Sequence, residues 1–442
     1  MHLHESAANL QRRRERFIAE LGGGVAILCA GPELVSSRDT EIRYRPDSDI
    51  YYLTGFTEPG TVALLTPHDP EHRLTLFVRP RDPDREVWAG ARAGPEGAVE
   101  CFGATAAYPI GELDERLKEL LEPADAVHYA LGSDAAMDAR LIGLLTGFRS
   151  SRARNGKGPV EVRDPGTILG RMRAIKEPGE LALMRAAAAT AAEAHAAAMR
   201  ATRPGVGEWE LEAILHAAFR RAGPDAGAAF APIVGSGPNA TILHYVDNTR
   251  RIAEGELVLV DAGASLGLYC SDITRTFPAS GRFTPDQRTI YDLVLAAEEA
   301  AIATVRAGIA FNEVHEAARK VLVDGMIGLG LVSGTFDEVI EAKAHLRFYM
   351  HQTSHFLGLD VHDAGSYRGA DESWVPLEAG MVMTVEPGLY IPASADDVPE
   401  RFRGIGVRIE DTVIVTDDGC EVITRGVPVK PEEIEAMVGS GG

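Results

Sequence analysis

Cysteine is scarce in this sequence, and its few copies are far apart. The 442 residues contain only Cys29, Cys101, Cys270 and Cys420, with no C-x-x-C pair. This spacing excludes a disulfide framework and a zinc ribbon, and it favours a reducing, cytoplasmic environment. An uninterrupted apolar run of about 18 residues is also missing, as is an apolar segment after the basic N-terminal stretch. We therefore expect neither a membrane span nor a signal peptide.

Positive charge is in deficit. The chain has 44 lysines and arginines against 65 aspartates and glutamates, a formal net charge of −21. Nucleic-acid binding needs a basic face that neutralises phosphates, so a nucleic-acid partner is not expected. The excess of carboxylates suits a solvated acidic surface, and some of them are available to bind metal.

The length is sufficient for two domains, and the pattern changes near residue 170. Before it, short apolar runs such as "GVAILCAG" and "TVALLTP" alternate with helical stretches, which predicts an α/β domain over residues 1–165. After it, long helices alternate with hairpin-like strands, which predicts an α+β domain over 172–442. The polar stretch 150–159 is the best linker candidate.

The C-terminal half repeats one arrangement. A pair of predicted helices precedes strands that carry Asp261 and Asp272, and a second pair precedes strands that carry Glu386 and Glu410. This order predicts an internal duplication with pseudo-twofold symmetry, in which each half donates carboxylates to one shared cleft.

The first acidic pair lies in "GELVLVDAGASLGLYCSDITRTF". If Leu266-Gly267 forms a two-residue turn, Asp261 lies directly opposite Asp272, at a Cβ separation of about 4.5–5.5 Å. Two carboxylates this close in an apolar hairpin repel each other unless a cation or a shared proton intervenes. The alternative is that both acids edge a solvated hairpin.

The second acidic pair ends or interrupts apolar strands. In "GMVMTVEPGLY" a buried strand ends at Glu386, and in "GIGVRIEDTVIV" a period of two places Arg408, Glu410 and Thr412 on one face. Glutamates are unusual as plain core residues. Taken singly, Glu386 is also compatible with a capping or surface acid, and Glu410 with an ion pair to Arg408.

A histidine-rich segment, "HQTSHFLGLDVHD" at 351–363, resembles the zinc-protease signature H-E-x-x-H with Gln352 in place of the catalytic glutamate. An amide cannot act as the base, so any carboxylates must come from elsewhere. Together with His355, the four acids form an oxygen-rich donor set that suits Mn²⁺, with Co²⁺ or Zn²⁺ as alternatives. Four carboxylates around one dication leave a buried charge of about −2, whereas two dications and a bridging hydroxide leave about −1. A dinuclear centre is therefore favoured.

Six segments together resemble one known family. "ILHYVDN", "LVDAG", "SDITRTF", "HQTSHFLGLDVHD", "VEPGLY" and "GIGVRIEDT" match in order and spacing the aminopeptidase P (Xaa-Pro aminopeptidase) family, bacterial type, of pita-bread metallopeptidases. The N-terminal "YRPDSDIYYLTGFTEPG" resembles that family's N-terminal domain. The resemblance implies an α/β N-terminal domain and a catalytic domain with the pita-bread fold.

The resemblance also implies roles for individual residues. Glu386 would act as general base as well as ligand, and His351, His362 and His244 would line the substrate cleft. Either His244 or His362 would donate the proton to the leaving nitrogen. The implied metal ligands are Asp261, Asp272, His355, Glu386 and Glu410.

Three further residues are implied to contact substrate. Arg408 and Tyr390 would lie beside the proline ring, or would instead support the residues that do. Trp88 would reach the site of a neighbouring subunit, in a homotetramer or dimer. The implied reaction is hydrolysis of the Xaa-Pro bond of peptides with proline second, by a hydroxide that bridges two metals. The alternatives are a prolidase, which is restricted to dipeptides, and a non-catalytic peptide-binding module of the same fold.

Overall fold

The structure is a computed structural model that describes residues 6–441. The first five residues of the predicted N-terminal domain and the last residue of the predicted catalytic domain lie outside the described residues. The chain divides into two compact units, with the boundary between Met172 and Arg173.

The N-terminal unit has mixed α and β structure, as the sequence predicts. Its strands are β1 (Val25–Cys29), β2 (Val35–Ser37), β3 (Thr40–Glu41), β4 (Val62–Leu65), β5 (Leu74–Val78), β6 (Ala106–Pro109), β7 (Ala126–His128) and β8 (Glu161–Arg163). Its helices are α1 (Ala7–Glu20), α2 (Ser48–Thr54), α3 (Pro83–Ala89), α4 (Gly94–Phe102), α5 (Leu113–Leu121), α6 (Ala135–Asn155) and α7 (Gly166–Ala174), the last of which contains the unit boundary.

Six of these strands form one sheet in the order β6-β5-β4-β1-β7-β8. The central strand β1 pairs antiparallel with β4 and parallel with β7. Its sequence "VAILC" is rich in residues that favour strands, and it is buried on both faces. Helix α5 packs against this sheet, with Leu117 and Leu121 fully buried in the same core.

The linker expected at 150–159 is not a linker. Residues 150–155 form the last turns of α6, which begins at the N-cap Asp134 and ends before Gly156 in the left-handed conformation. The physical reason is that strong cap signals at both ends define one continuous helix. The polar composition of this segment reflects its exposed surface.

The C-terminal unit contains the predicted long helices, which are α8 (Pro178–Ala201), α9 (Glu208–Arg221), α10 (Pro285–Thr304) and α11 (Phe311–Gly328). The sequence analysis did not predict the short helices α12 (Phe336–Glu341) and α13 (Pro431–Met437). The strands are β9 (Ala226–Ala228), β10 (Ile233–Ser236), β11 (Leu257–Asp261), β12 (Ala264–Leu266), β13 (Tyr269–Cys270), β14 (Thr274–Pro278), β15 (Val382–Val385), β16 (Gly388–Tyr390), β17 (Gly406–Arg408), β18 (Asp411–Val415) and β19 (Cys420–Val422).

Local sequence explains where the long helices begin. Pro178 occupies the first turn of α8, where its missing N–H has no helical partner to lose. Thr284 and Gln287 form a reciprocal capping box at the start of α10. Each helix pair, α8–α9 and α10–α11, is followed by an antiparallel three-stranded sheet.

The two sheets, β10-β11-β14 and β15-β18-β19, confirm the predicted duplication and the pita-bread fold. They meet where Thr274, at the start of β14, forms an antiparallel bridge with Glu410, just before β18. The junction brings together strands from both halves, and the predicted acidic residues lie beside it. None of the helices within residues 6–441 is both long and apolar enough to span a bilayer.

Candidate metal centre

Asp261 ends strand β11 and lies opposite Thr274 of β14, rather than opposite Asp272. The predicted register was wrong because the turn between β12 and β13 consists of Gly267 and Leu268, one residue later than expected. Both turn residues have positive φ, 54° and 69°, as a type I′ hairpin turn requires. Moving a two-residue turn by one position shifts the pairing by two, so side chains keep their faces. Asp261 and Asp272 therefore remain close neighbours, within hydrogen-bonding reach once one is protonated.

The second acidic pair is positioned by the junction between the two halves. Strand β15 ends at Val385, and Glu386 follows directly. The predicted strand around Glu410 is divided into β17 and β18, with Glu410 at the break. Thr274 Oγ1 donates to Glu410 Oε2 at 2.7 Å, which orients this carboxylate. The alternative for Glu410, an ion pair with Arg408, does not form, because Arg408 pairs with Asp261 instead.

His355 lies among these carboxylates with a neutral ring. Its Nδ1 donates to Phe356 O at 3.1 Å, which leaves the lone pair of Nε2 pointing toward Glu386 Oε1 at 3.4 Å and Asp272 Oδ2 at 3.6 Å. Ligand atoms of Asp272, His355 and Glu410 all lie within 4.8 Å of one another. A lone pair that faces carboxylate oxygens is repulsive unless a cation or a shared proton lies between them.

Burial makes the ionised state of these acids costly. It raises the pKa of Glu386 to about 8, against the opposing effect of the Arg408 charge. The pKa values of Asp272 and Glu410 are also well above the usual range, first because of burial and then because of the neighbouring carboxylates. Burial lowers the pKa of His355 to about 4. The raised pKa values of the acids and the lowered pKa of the histidine share one cause, because burial destabilises the charged form of each group.

The donor set fits divalent metal ions. Asp261 Oδ1 and Asp272 Oδ1 are buried, and no hydrogen-bond donor of residues 6–441 reaches either atom. A buried anionic oxygen without a donor is expensive, and a cation would satisfy both atoms. Oxygen ligands with one imidazole are typical of sites for Mn²⁺ and related ions. These two oxygens and the His355 lone pair are therefore available as ligands.

A chain of hydrogen bonds runs from Asp261 to His351. Arg408 donates to Asp261 Oδ2 at 2.6 Å and to the Tyr390 hydroxyl at 3.0 Å, and that hydroxyl lies 2.9 Å from His351 Nε2. Since arginine only donates, Tyr390 uses its single proton toward His351, whose Nδ1 donates to Gln352 O at 2.8 Å. Burial lowers the pKa of His351 to about 4, so the ring is neutral. Both its nitrogens are engaged.

The other two predicted histidines are exposed. The His362 ring packs edge-on against His355, with centroids 4.5 Å apart. His244 lies between β10 and β11, directly before the buried Tyr245. Unlike His351, neither exposed histidine is enclosed by protein, so both rings are accessible to a ligand.

Trp88 belongs to the N-terminal unit, whereas the other predicted site residues belong to the C-terminal unit. It lies in the last turn of α3 in the N-terminal unit and is 89 % exposed. The adjacent Val87 is exposed as well.

Three supporting residues were missed by sequence reasoning. His315 on α11 contacts the Thr353 hydroxyl through Nδ1 at 2.8 Å, behind the His351–His355 segment. The Tyr349 hydroxyl hydrogen-bonds to both His315 and Thr353. Only the two-residue spacing of Thr353 from His351 and His355 could have signalled this role. The helix that carries His315 is about 40 residues away and offers no local signal.

Both parts of the chain match known protein families. The model of "Metallopeptidase family M24" matches residues 182–417, and that of "Aminopeptidase P, N-terminal domain" matches residues 10–129. The two matches fall on either side of the boundary between the compact units.

Individual proteins match over nearly their full length. The Xaa-Pro aminopeptidase of Escherichia coli is 42% identical over 435 residues, which cover 98% of each chain. Among solved structures, an aminopeptidase of Pseudomonas aeruginosa superimposes with a TM-score of 0.94 at 46% identity. Zinc-substituted Escherichia coli aminopeptidase P in complex with product superimposes with a TM-score of 0.93 at 42% identity. Both structures cover 98% of this chain and are covered to 98% by it.

Proposed function

The chain belongs to the Xaa-Pro aminopeptidases of metallopeptidase family M24, and we propose that it removes the N-terminal residue of peptides whose second residue is proline. The observation that carries this proposal is the group formed by Asp272, His355 and Glu410. Its ligand atoms come from both halves of the duplicated domain. Burial makes the ionised carboxylates unfavourable there unless a cation is bound beside them.

Five residues would hold the metal, and we propose two divalent ions, with Mn²⁺ preferred and Co²⁺ or Zn²⁺ as alternatives. Asp272 and Glu410 would be shared between the ions, and His355 would bind one of them. Two ions are supported by charge, since four carboxylates around a single dication would leave uncompensated negative charge beside Arg408. When bound, the ions supply Lewis acidity and a hydroxide at neutral pH. The full ligand set is Asp261, Asp272, His355, Glu386 and Glu410.

Glu386 is the proposed general base. Burial raises its pKa to about 8, so its carboxylate holds a proton more readily than an ordinary glutamate. Thr384 Oγ1 donates to Glu386 Oε1 at 3.3 Å, which fixes the orientation of the carboxyl group. This arrangement supports a role in taking and returning one proton, the role that Gln352 cannot fill.

The leaving group requires a proton donor. A bond to proline nitrogen is a tertiary amide, and the ring nitrogen must gain a proton as the bond breaks. His351 is poorly suited, because Tyr390 and Gln352 engage its two nitrogens. We propose that His244 or His362 donates this proton and that His351 helps to line the cleft.

Arg408 and Tyr390 are proposed to support the metal ligand Asp261 and the cleft residue His351. Both are buried, at 3% and 0% exposure, and they bond to each other and to Asp261 and His351. These contacts favour support of the ligand and the histidine over direct recognition of the proline ring. Substrate would then contact exposed residues of the cleft instead of the buried Arg408 and Tyr390 side chains.

Trp88 is proposed to complete the site of a neighbouring subunit in a homotetramer or dimer. Its 89% exposure at the end of α3 supports a surface role.

The cytoplasm is the proposed location, supported by the four cysteines, none of which forms a disulfide within residues 6–441. The proposed N-terminal domain is residues 1–165, and the proposed catalytic domain is residues 172–442.

One assay tests the function. The protein is stripped with chelator, Mn²⁺ is restored, and an Xaa-Pro dipeptide and an Xaa-Pro-Yaa tripeptide are offered side by side. Metal-dependent release of the first residue from the tripeptide is expected. Cleavage of the dipeptide alone would indicate a prolidase. Metal binding without any cleavage would indicate a non-catalytic peptide-binding module.

A further inference from the structure

We propose that Glu208 is a positioning residue that holds the His244 loop, residues 237–250, and through this loop the side chain of His244. Glu208 opens helix α9 and is 0% exposed, and the guanidinium of the nearby Arg250 pairs with Glu256 rather than with Glu208. The inference rests on the proposed function, in which His244 serves as a proton donor or cleft residue.

Five donor groups converge on the Glu208 carboxylate. Oε1 accepts from Ser236 N at 2.7 Å, Ser236 Oγ at 2.7 Å and Asn239 Nδ2 at 3.2 Å. Oε2 accepts from the Tyr245 hydroxyl at 2.9 Å and from Arg250 N at 2.8 Å. These donors lie before, within and at the end of the His244 loop. A single buried carboxylate therefore ties the loop together along its whole length.

Tyr245 links this anchor to the metal centre. Its side chain packs in an apolar cluster with Leu259 of β11 and with Tyr390, the residue that donates to His351. Its hydroxyl also accepts from Thr249 N at 3.1 Å. Because Tyr245 directly follows His244, fixing its ring fixes the backbone from which the His244 side chain extends.

Helix capping does not account for Glu208. The backbone N–H of Gly207, at the N-cap of α9, donates to Glu210 Oε2 at 2.7 Å, so Glu210 supplies the capping-box contact. The donors to Glu208 come instead from residues 28 to 42 positions further along the chain. A buried carboxylate with donors on both oxygens is a strong and directional anchor.

The test replaces Glu208 by glutamine, which keeps the size but offers only one acceptor oxygen where two are used. Glu210→Gln is the matched control, because only one Glu210 oxygen accepts a hydrogen bond from the N-cap and glutamine retains it. Both variants are loaded with Mn²⁺, and kcat, KM and metal content are measured with an Xaa-Pro-Yaa peptide. We expect kcat/KM to fall on the order of 10- to 100-fold in Glu208→Gln, mainly through kcat, with metal content unchanged. Glu210→Gln should behave as the wild type.

Two readouts separate positioning of His244 from general stabilisation. In a double-mutant cycle, Glu208→Gln should have little further effect in a His244→Ala background, because the residue that it positions is gone. By hydrogen–deuterium exchange, amides of residues 237–250 should exchange faster in Glu208→Gln than in Glu210→Gln. If Glu208→Gln does not fold, Tyr245→Phe replaces it throughout, with an expected loss of about three- to tenfold.

Full activity of the substituted protein, or additive effects with His244→Ala, would overturn the inference. So would unchanged exchange in residues 237–250. If the wild-type protein cleaves no Xaa-Pro peptide, the proposed function fails, and the exchange measurement still decides whether Glu208 holds the loop. The two failures are therefore distinguishable.

Discussion

Arg275 and Glu410 are joined across the two halves of the catalytic unit. Arg275 Nη1 donates to the backbone oxygen of Glu410 at 2.6 Å and to that of Thr274 at 3.0 Å, while Nη2 donates to Asp411 Oδ1 at 2.8 Å. The remaining N–H groups reach the backbone oxygens of Val427 and Pro428. A fully buried guanidinium thus holds the strand junction that orients a proposed metal ligand.

Arg275→Lys should destabilise the protein and weaken its metal binding. Lysine keeps the charge but cannot reproduce five planar N–H contacts, so buried acceptors lose their donors. Each buried acceptor that loses its donor costs about 1–3 kcal/mol. The checks are the thermal midpoint and the Mn²⁺ affinity measured by calorimetry. Arg288→Lys, on an exposed ion pair of α10, is the control and should change stability by less than about 0.5 kcal/mol. Equal behaviour of the two variants would contradict the role of Arg275.

Glu386→Gln should abolish turnover while the protein still folds. The amide cannot take a proton, and loss of a general base lowers kcat by about 10²- to 10⁴-fold. Metal content must be measured in the same preparation, because Glu386 is also a proposed ligand. The exposed Glu378, eight residues earlier in the chain, provides the control Glu378→Gln, with unchanged turnover expected. Near-normal activity of Glu386→Gln would remove this residue as the base.

The metal-free protein should lose stability as pH rises from about 6.5 to 8. Glu386 has a folded-state pKa of about 8, above its unfolded value, so the folded state keeps a proton that the unfolded state releases. Stability from this group is present at low pH and is lost as pH rises toward 8. Below about pH 6.5 a second effect interferes, since burial lowers the pKa of His351 and His355 to about 4 and protonation then favours unfolding.

Thermal midpoints in chelator and in Mn²⁺, taken at pH 6.5, 7.2 and 8, check this expectation. Bound metal stabilises the ionised carboxylates, so its stabilising effect should grow over the same window as protons are released. A metal-free protein whose stability rises with pH across this range would contradict the raised pKa values.

Asp363→Asn should destabilise the segment that carries His362. The Asp363 carboxylate is buried between two cations: Arg173 Nη2 donates to Oδ1, and Lys176 Nζ donates to Oδ2 at 3.1 Å. An amide at this position takes away the carboxylate that Lys176 contacts, whereas Arg173 keeps Asp360 Oδ2 at 2.6 Å. Breaking the buried pair with Lys176 costs about 3–5 kcal/mol. Denaturant unfolding measures the loss. Asp371→Asn, on an exposed loop where Asp371 Oδ1 accepts from Ser373, should change stability little. A stable Asp363→Asn protein would show that the ion pairs contribute nothing to this segment.

The hairpin between β12 and β13 shows why part of the site could not be predicted. The sequence offers two dipeptides with glycine, Leu266-Gly267 and Gly267-Leu268, and local preference favours neither decisively. The structure uses the second, with Leu268 in the left-handed region at a cost of about 1–2 kcal/mol. Pairing of β12 with β9 on its other edge stabilises this choice. That pairing joins residues about 40 positions apart and leaves no local trace.

The sequence by itself determined the type of chemistry. Carboxylates next to apolar strands, a histidine segment without its glutamate, and helices with cap signals at their ends are all local features. Residue order and spacing, together with the resemblance to the aminopeptidase P family, pointed to the five proposed metal ligands Asp261, Asp272, His355, Glu386 and Glu410. The duplication could be predicted for the same reason, because the two halves share one order of helices and strands.

Only the tertiary structure decided which atoms face one another. The neutral tautomer of His351 depends on Tyr390 and Arg408, and the anchoring of the His244 loop depends on Glu208. These hydrogen bonds join residues 18 to 39 positions apart along the chain. Hydrogen-bond direction and burial arise from such long-range packing, and neither hydrophobic period nor residue spacing encodes them.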